Sequence, residues 1–129
     1  MLTDELKDAV LALPIEERME LVGLLNRSIF SEKYDTQLEI MDRGASVIQD
    51  LFGINVKARN RLADVVDART MFCYNMRQRG MYYRVIGDYL GLDHSTVMYY
   101  CGRMSDAFEL PKVYQSLIRK YEKFNDSLT

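Results

Sequence analysis

Histidine is nearly absent from this chain of 129 residues. It occurs once, as His94. A hydrolytic triad needs a histidine, a nucleophile and an acid converging in space. Asp93, His94 and Ser95 are consecutive, so at a helix start their side chains point apart. Metal-ligating clusters are equally absent from the sequence, and no cofactor is expected. The two cysteines, Cys73 and Cys101, have no CxxC spacing, so they read as buried free thiols in a reducing, cytoplasmic setting. No run approaches 18 apolar residues, which excludes an expected membrane span. The first residues, MLTDELKDAVLALP, lack a basic region followed by an apolar run, so no secretory signal is expected. Neither GxxxxGK[ST] nor a GxGxxG after a strand occurs, so a nucleotide motor is not expected. No enzyme is expected from these absences.

Long alternating runs are also missing, and the two prolines, Pro14 and Pro111, stand at plausible helix starts. The fold class read from this is all-α. A first helix is capped by Thr3, with Leu6, Val10, Leu11 and Leu13 apolar. A second starts at Pro14, with Ile15, Met19, Val22 and Ile29 on one stripe that Leu21, Leu24 and Leu25 widen. Residues 31–44 read as a polar linker or a weak helix ending at Gly44. A short helix over about 45–52 stops at Gly53. After a turn at Ile54–Asn55 comes the basic stretch 57–61, then a long helix over about 63–78 with Val65, Val66, Met71, Phe72 and Met76 apolar. Gly80 ends it. A helix-turn-helix follows over about 82–105. A last helix runs from Pro111 to about Phe124, with Val113, Leu117, Ile118 and Tyr121 as its stripe. The domain reading is an acidic, amphipathic helical extension, 1–44, before a multi-helix domain, 45–129.

Charge divides the same way. Overall it is −2, but residues 1–53 carry a net −6 and residues 54–129 a net +4. Within 57–84 seven cations (Lys57, Arg59, Arg61, Arg69, Arg77, Arg79 and Arg84) face two acids, Asp64 and Asp67. Such asymmetry points to a nucleic-acid partner or an interaction tail. A solvated basic helix face is the plainer explanation.

The richest stretch is RVIGDYLGLDHSTVMYYCGRM, residues 84–104. Ile86, Leu90, Leu92 and Val97 can share one small core. Gly87 suits a close approach, and Gly91 suits a left-handed turn. Asp93 is a good N-cap. His94, Ser95 and Thr96 then occupy the tip of the second helix, the part that enters the major groove in a helix-turn-helix. An ordinary helical hairpin, with Ser and Thr as mere caps, has the same outline.

GLDHSTVMYYCGRM closely resembles the signature of the C-terminal duplex-DNA-binding domain of the bacterial replication initiator DnaA, typically FGGRDHSTVLHACRKI. VIQDLFGINVKARNRLADVVDARTMFCYNMRQRG resembles that domain's opening, and DAFELPKVYQSLIRKYEKF its last helix. The resemblance covers roughly residues 45–124 and is most specific at the signature. It implies a DnaA-like helix-turn-helix domain without the ATPase module, so origin melting driven by ATP does not carry over. It implies base reading by Asp93, His94, Ser95 and Thr96. It also implies an arginine in the minor groove, matched best by Arg61 with Arg59 as fallback. Phosphate contacts would fall to Arg77, Arg79 and Arg84 in the loop before the motif. Tyr99 and Arg103 complete the implied DNA-binding set.

The chain departs from the family at several points. Tyr83-Arg84 stands near a usual Leu-Pro pair, Tyr99 where a His is usual and Tyr100 where a small Ala is usual. The turn is one residue shorter. These departures leave the recognition sequence open.

The function read from the sequence is therefore sequence-specific double-stranded DNA binding, in control of replication initiation or transcription. The alternative is a protein-interaction or antitoxin-like module acting through its N-terminal helices. LPIEERMELVGLLNRSI, about 17 residues, resembles the opening helix of small addiction-module proteins. For residues 1–44 the expected role is homodimerisation; autoinhibition and docking of a partner protein are the other readings.

Overall fold

A computed structural model describes residues 4–128, with side chains described for residues 4, 5, 8, 9, 12–18 and 36–128. The expected cap Thr3 and the stripe side chains Leu6, Val10, Leu11, Met19, Leu21, Val22, Leu24, Leu25 and Ile29 lie outside the described set. Six helices make up the described chain: α1 (Asp4–Leu11), α2 (Ile15–Phe52), α3 (Ala63–Gln78), α4 (Tyr83–Leu90), α5 (His94–Glu109) and α6 (Gln115–Leu128). The described residues contain no strand, and no helix long and apolar enough to cross a membrane. The chain divides into two compact units, residues 1–36 and 37–129.

The first unit holds α1 and the opening of α2. The Pro14 carbonyl accepts from the Arg18 N–H at 3.0 Å, so Pro14 immediately precedes the helix and leaves no donor unsatisfied.

The second unit is organised on α3. Its buried face carries Val65, Ala68, Phe72, Cys73 and Met76, and α4, α5 and α6 all pack against it. From α2 come Met41 and Ile48, both fully buried, and from α5 come Val97, Met104 and Ala107. The α2 surface closes on α3 at Gly44. A Cβ there would lie 2.6 Å from Met76 Cε and 3.3 Å from Phe72 Cε2.

This corrects the reading of 31–44 as a linker or weak helix ending at Gly44. The helix runs through to Phe52, and Gly44 is a contact point rather than a stop. The real stop is Gly53, with φ at +68°. The last helix is a second correction. Residues 111–114 form a turn in which the Leu110 carbonyl accepts from both the Val113 and Tyr114 N–H groups. The chain must reverse there so that α6 can pack on both α3 and α5. Val113, expected in the stripe, is 73% exposed, and the buried face is Leu117, Tyr121, Phe124 and Leu128.

Polar side chains tie the helices at fixed points. Asn75, buried on α3, donates to Tyr121 Oη (3.3 Å) and Asn125 Oδ1 (3.0 Å) on α6. Its own Oδ1 accepts from Arg79 Nε at 2.8 Å, which satisfies the amide on both sides. Asp67 pairs with Arg103 of α5 at 2.9 Å and with Lys120 of α6 at 3.1 Å.

Both thiols are free and buried. Burial pushes the Cys101 thiol up to about 11 and holds the Cys73 thiol well above its ordinary value. The thiolate is the reactive form. Neither cysteine should be alkylated by iodoacetamide at pH 8 in the folded protein, and both should react in urea. Mass spectrometry of the quenched reaction checks this; rapid labelling of native protein would contradict the burial.

Candidate nucleic-acid interface

The helix-turn-helix forms where the residues demanded it. α4 ends at Gly91, whose φ of +70° and ψ of 32° are left-handed. The Leu92 N–H then donates to the Gly87 carbonyl at 2.8 Å, closing the turn on α4. A Cβ at Gly87 would sit 2.5 Å from the Leu92 carbonyl oxygen and 3.5 Å from Val97 Cγ2. The pairing of the two short helices thus depends on a missing side chain. Ile86, Leu90 and Val97 are buried between them, and Leu92 is half-buried, as the sequence pattern requires.

The α5 tip departs from expectation in two details. The side chains of Asp93, His94 and Ser95, expected to point apart, meet at the Asp93 carboxylate. Ser95 bonds the acid, whereas a triad needs its nucleophile on the imidazole, and the expected cap bond is not made. Asp93 has the extended backbone of an N-cap, but its carboxylate makes no side-chain cap bond. It accepts from Ser95 Oγ at 2.6 Å, and His94 Nδ1 lies 3.1 Å from its other oxygen. The Ser95 hydroxyl, then His94, holds the Asp93 carboxyl below its usual range. The cap is left to the backbone: the Asp93 carbonyl accepts from the Thr96 and Val97 N–H groups. Asp93, His94 and Ser95 are all exposed, and Thr96 is half-buried. These exposed groups offer donors and acceptors at one helix tip.

The basic loop reaches the same place. Asn55 Oδ1 accepts from the Lys57 N–H and Asn60 Oδ1 from the Leu62 N–H, so side chains rather than helix bonds shape 55–62. Lys57, Arg59, Asn60 and Arg61 line a groove of about 650 Å3 together with Asp88, Tyr89, Leu90, Gly91 and Leu92. The basic loop and the turn before α5 thus line one cleft. Lys57 Nζ lies 3.9 Å from the centre of the Tyr89 ring, while the Tyr89 hydroxyl donates to Asp42 Oδ1 on α2 at 2.7 Å.

Arg69 is what the sequence reading missed. It was counted in the basic stretch, yet it is 6% exposed. Its Nε donates to the Val56 carbonyl (3.3 Å), and one terminal nitrogen donates to the Asn60 carbonyl (3.3 Å) and to Tyr100 Oη (3.4 Å). A buried guanidinium thereby holds both ends of the basic loop against α3 and α5. The signal was present: Arg69 falls between Val65 and Phe72 at the spacing of the buried stripe. The Tyr100 departure now has a partner, since its hydroxyl meets that guanidinium.

The remaining cations differ in how free they are. Arg59, Arg61 and Arg84 are exposed, and Arg79 is exposed with its Nε on Asn75. Arg77 is half-buried, donates to the Met81 carbonyl at 3.0 Å and lies 4.6 Å from the centre of the Tyr83 ring. Arg103 is committed inward, to Asp67 and, at 3.0 Å, to Thr70 Oγ1. Tyr99 is 64% exposed and packs edge-on against Tyr100. Among the described residues no three His, Cys, Asp or Glu side chains gather as a metal site needs.

No family model matches the chain, and neither a curated protein nor a solved structure does.

Proposed function

We propose that this protein binds double-stranded DNA sequence-specifically, with the α5 tip in the major groove and Arg61 in the adjacent minor groove, in control of replication initiation or transcription. One observation carries the reading: Arg59 and Arg61 wall the same cleft as Gly91 and Leu92, the residues that lead into the exposed tip. A polar helix tip beside an exposed cationic loop suits a polyanion whose bases are read from the groove. The DnaA resemblance agrees with it in the residues of the tip. Asp93 can accept from a cytosine amino group, His94 can donate or accept, and Thr96 offers a hydroxyl and a methyl. Arg84, Arg79 and Arg77 serve as phosphate contacts, in that order of freedom. Arg103 serves the α3–α5 junction instead of the DNA. Of the expectations for the N-terminal helices, none is needed for this reading.

Selection from a random-sequence duplex pool with the purified protein, at stated salt, tests it. One enriched site should emerge. His94→Ala and Thr96→Ala should each lose about 1–3 kcal/mol of discrimination at one or two base pairs of that site, with helical content unchanged by circular dichroism. Enrichment of no site, or variants that bind the site as wild type does, would remove α5 from the recognition role.

A further inference from the structure

The exposed side of α5 changes character along its length. The tip is polar, and the far end carries exposed Asp106 and Glu109. Between them stand two exposed apolar side chains, Met98 at 49% and Tyr99 at 64%. Residues four apart share a helix face, so Met98 follows His94 and Tyr99 follows Ser95. Gly102 continues the Met98 row, is exposed, and would aim a side chain into open space. Glycine is among the poorest helix formers, so one in mid-helix with room to spare calls for another reason. Close approach of a second surface to the backbone supplies one.

An apolar strip on a helix suits either a protein partner or the 5-methyl groups of thymine. Charge selects between them. The strip begins at the polar tip, next to the cleft walled by Lys57, Arg59 and Arg61, and acidic groups return only at Asp106. Cations beside a polar and then apolar strip complement a polyanion that carries methyl groups on its base edges. We infer that Met98 and Tyr99 are specificity-determining residues that read thymine methyl groups in the major groove, while Gly102 lets the sugar-phosphate wall lie close to α5. The inference rests on the duplex-binding reading. The rise of about 1.5 Å per residue sets Met98 roughly 6 Å beyond His94. That is close to two base-pair steps of about 3.4 Å. The thymines read by Met98 and Tyr99 therefore lie about two steps from the pairs read by the tip.

The test uses the full chain and its selected duplex, with each thymine replaced in turn by deoxyuridine, which removes only the methyl. Wild type should lose about fourfold in affinity at one or two thymines, the scale of one buried methyl-sized group. Met98→Ala and Met98→Gln should abolish that sensitivity at one of them and Tyr99→Ala at the other, while tip-dependent discrimination persists. Uniform indifference of wild type to deoxyuridine overturns the inference alone, as does an unchanged deoxyuridine pattern in the variants. If Met98→Ala instead converts a dimer to a monomer in sedimentation with the pattern unchanged, the strip is a contact between copies and the inference falls. A wild-type protein that selects no duplex overturns this and the duplex-binding reading together.

Discussion

Gly87→Ala is expected to destabilise the second unit by about 2–3 kcal/mol in urea titration, read from the shift of the midpoint at constant slope. The cause is local and unrelieved. The added Cβ would meet the Leu92 carbonyl oxygen at 2.5 Å, and that oxygen belongs to backbone held in the turn between α4 and α5. A flexible side chain could swing away, but this backbone cannot move without pulling apart α4, Gly91 and the first turn of α5. The gain in helix propensity from glycine to alanine, about 1 kcal/mol, offsets only part of the cost. Gly102→Ala is the matched control. It sits in α5 with nothing within 4 Å of its would-be Cβ, so it should stabilise by about 0.5–1 kcal/mol. Equal effects of the two substitutions would show that propensity alone operates and that the α4–α5 approach is looser than described.

The combined variant Arg59→Ala, Arg61→Ala and Arg84→Ala should lose most of its duplex affinity, for selected and unselected sequences alike. Each cation withdrawn from the duplex makes the slope of log K against log salt shallower by about 0.9, so the triple change should amount to roughly 3. The three side chains are exposed: Arg84 is free to meet a phosphate, and Arg61, with Arg59 beside it, neutralises the phosphates that flank the minor groove it enters. Arg61→Ala alone should show a further effect, loss of preference for A·T pairs at one end of the site, because narrow A·T-rich minor grooves attract arginine most strongly. Arg103→Ala provides the contrast. Its guanidinium is spent on Asp67 and Thr70, so its loss should lower stability and leave the salt slope alone. Titrations at several salt concentrations, fitted to a common stoichiometry, read all of these. A triple variant with the wild-type slope would put the duplex on another face.

The residue-level expectations succeeded where local rules are strong. The long helix was expected over about 63–78 and is α3, Ala63–Gln78. Gly53, Gly80 and Gly91 all have positive φ, at three of the four places where the sequence puts a glycine stop or turn; the fourth, Gly44, lies inside α2. Exposed polar residues at the α5 tip followed from Gly91 and the run after it. The expectations failed where a side chain's role depends on distant chain. Residues 31–44 are polar enough to read as a linker, yet Met41 is buried among core residues and Gly44 lies against Met76 and Phe72. A deletion ending at 44 would therefore cut into the core of the second unit. One ending at 36 matches the boundary between units and is the better test of what the N-terminal helices do.

Sequence alone determined the all-helical class, the turn glycines and the polar tip. Each depends on periodicity, backbone sterics or capping, which act over a few residues. Tertiary structure alone decided which cations are free. Arg69 is separated by 13 residues from Val56 and by 31 from Tyr100, and only their meeting makes it an internal clamp rather than part of a basic face. Arg103 is likewise silenced by Asp67 of another helix, while Arg59 and Arg61 become cleft walls because the loop folds back to Gly91 and Leu92. A formal charge is a property of one residue. Its availability to a partner is set by which oxygens the fold brings within hydrogen-bonding distance.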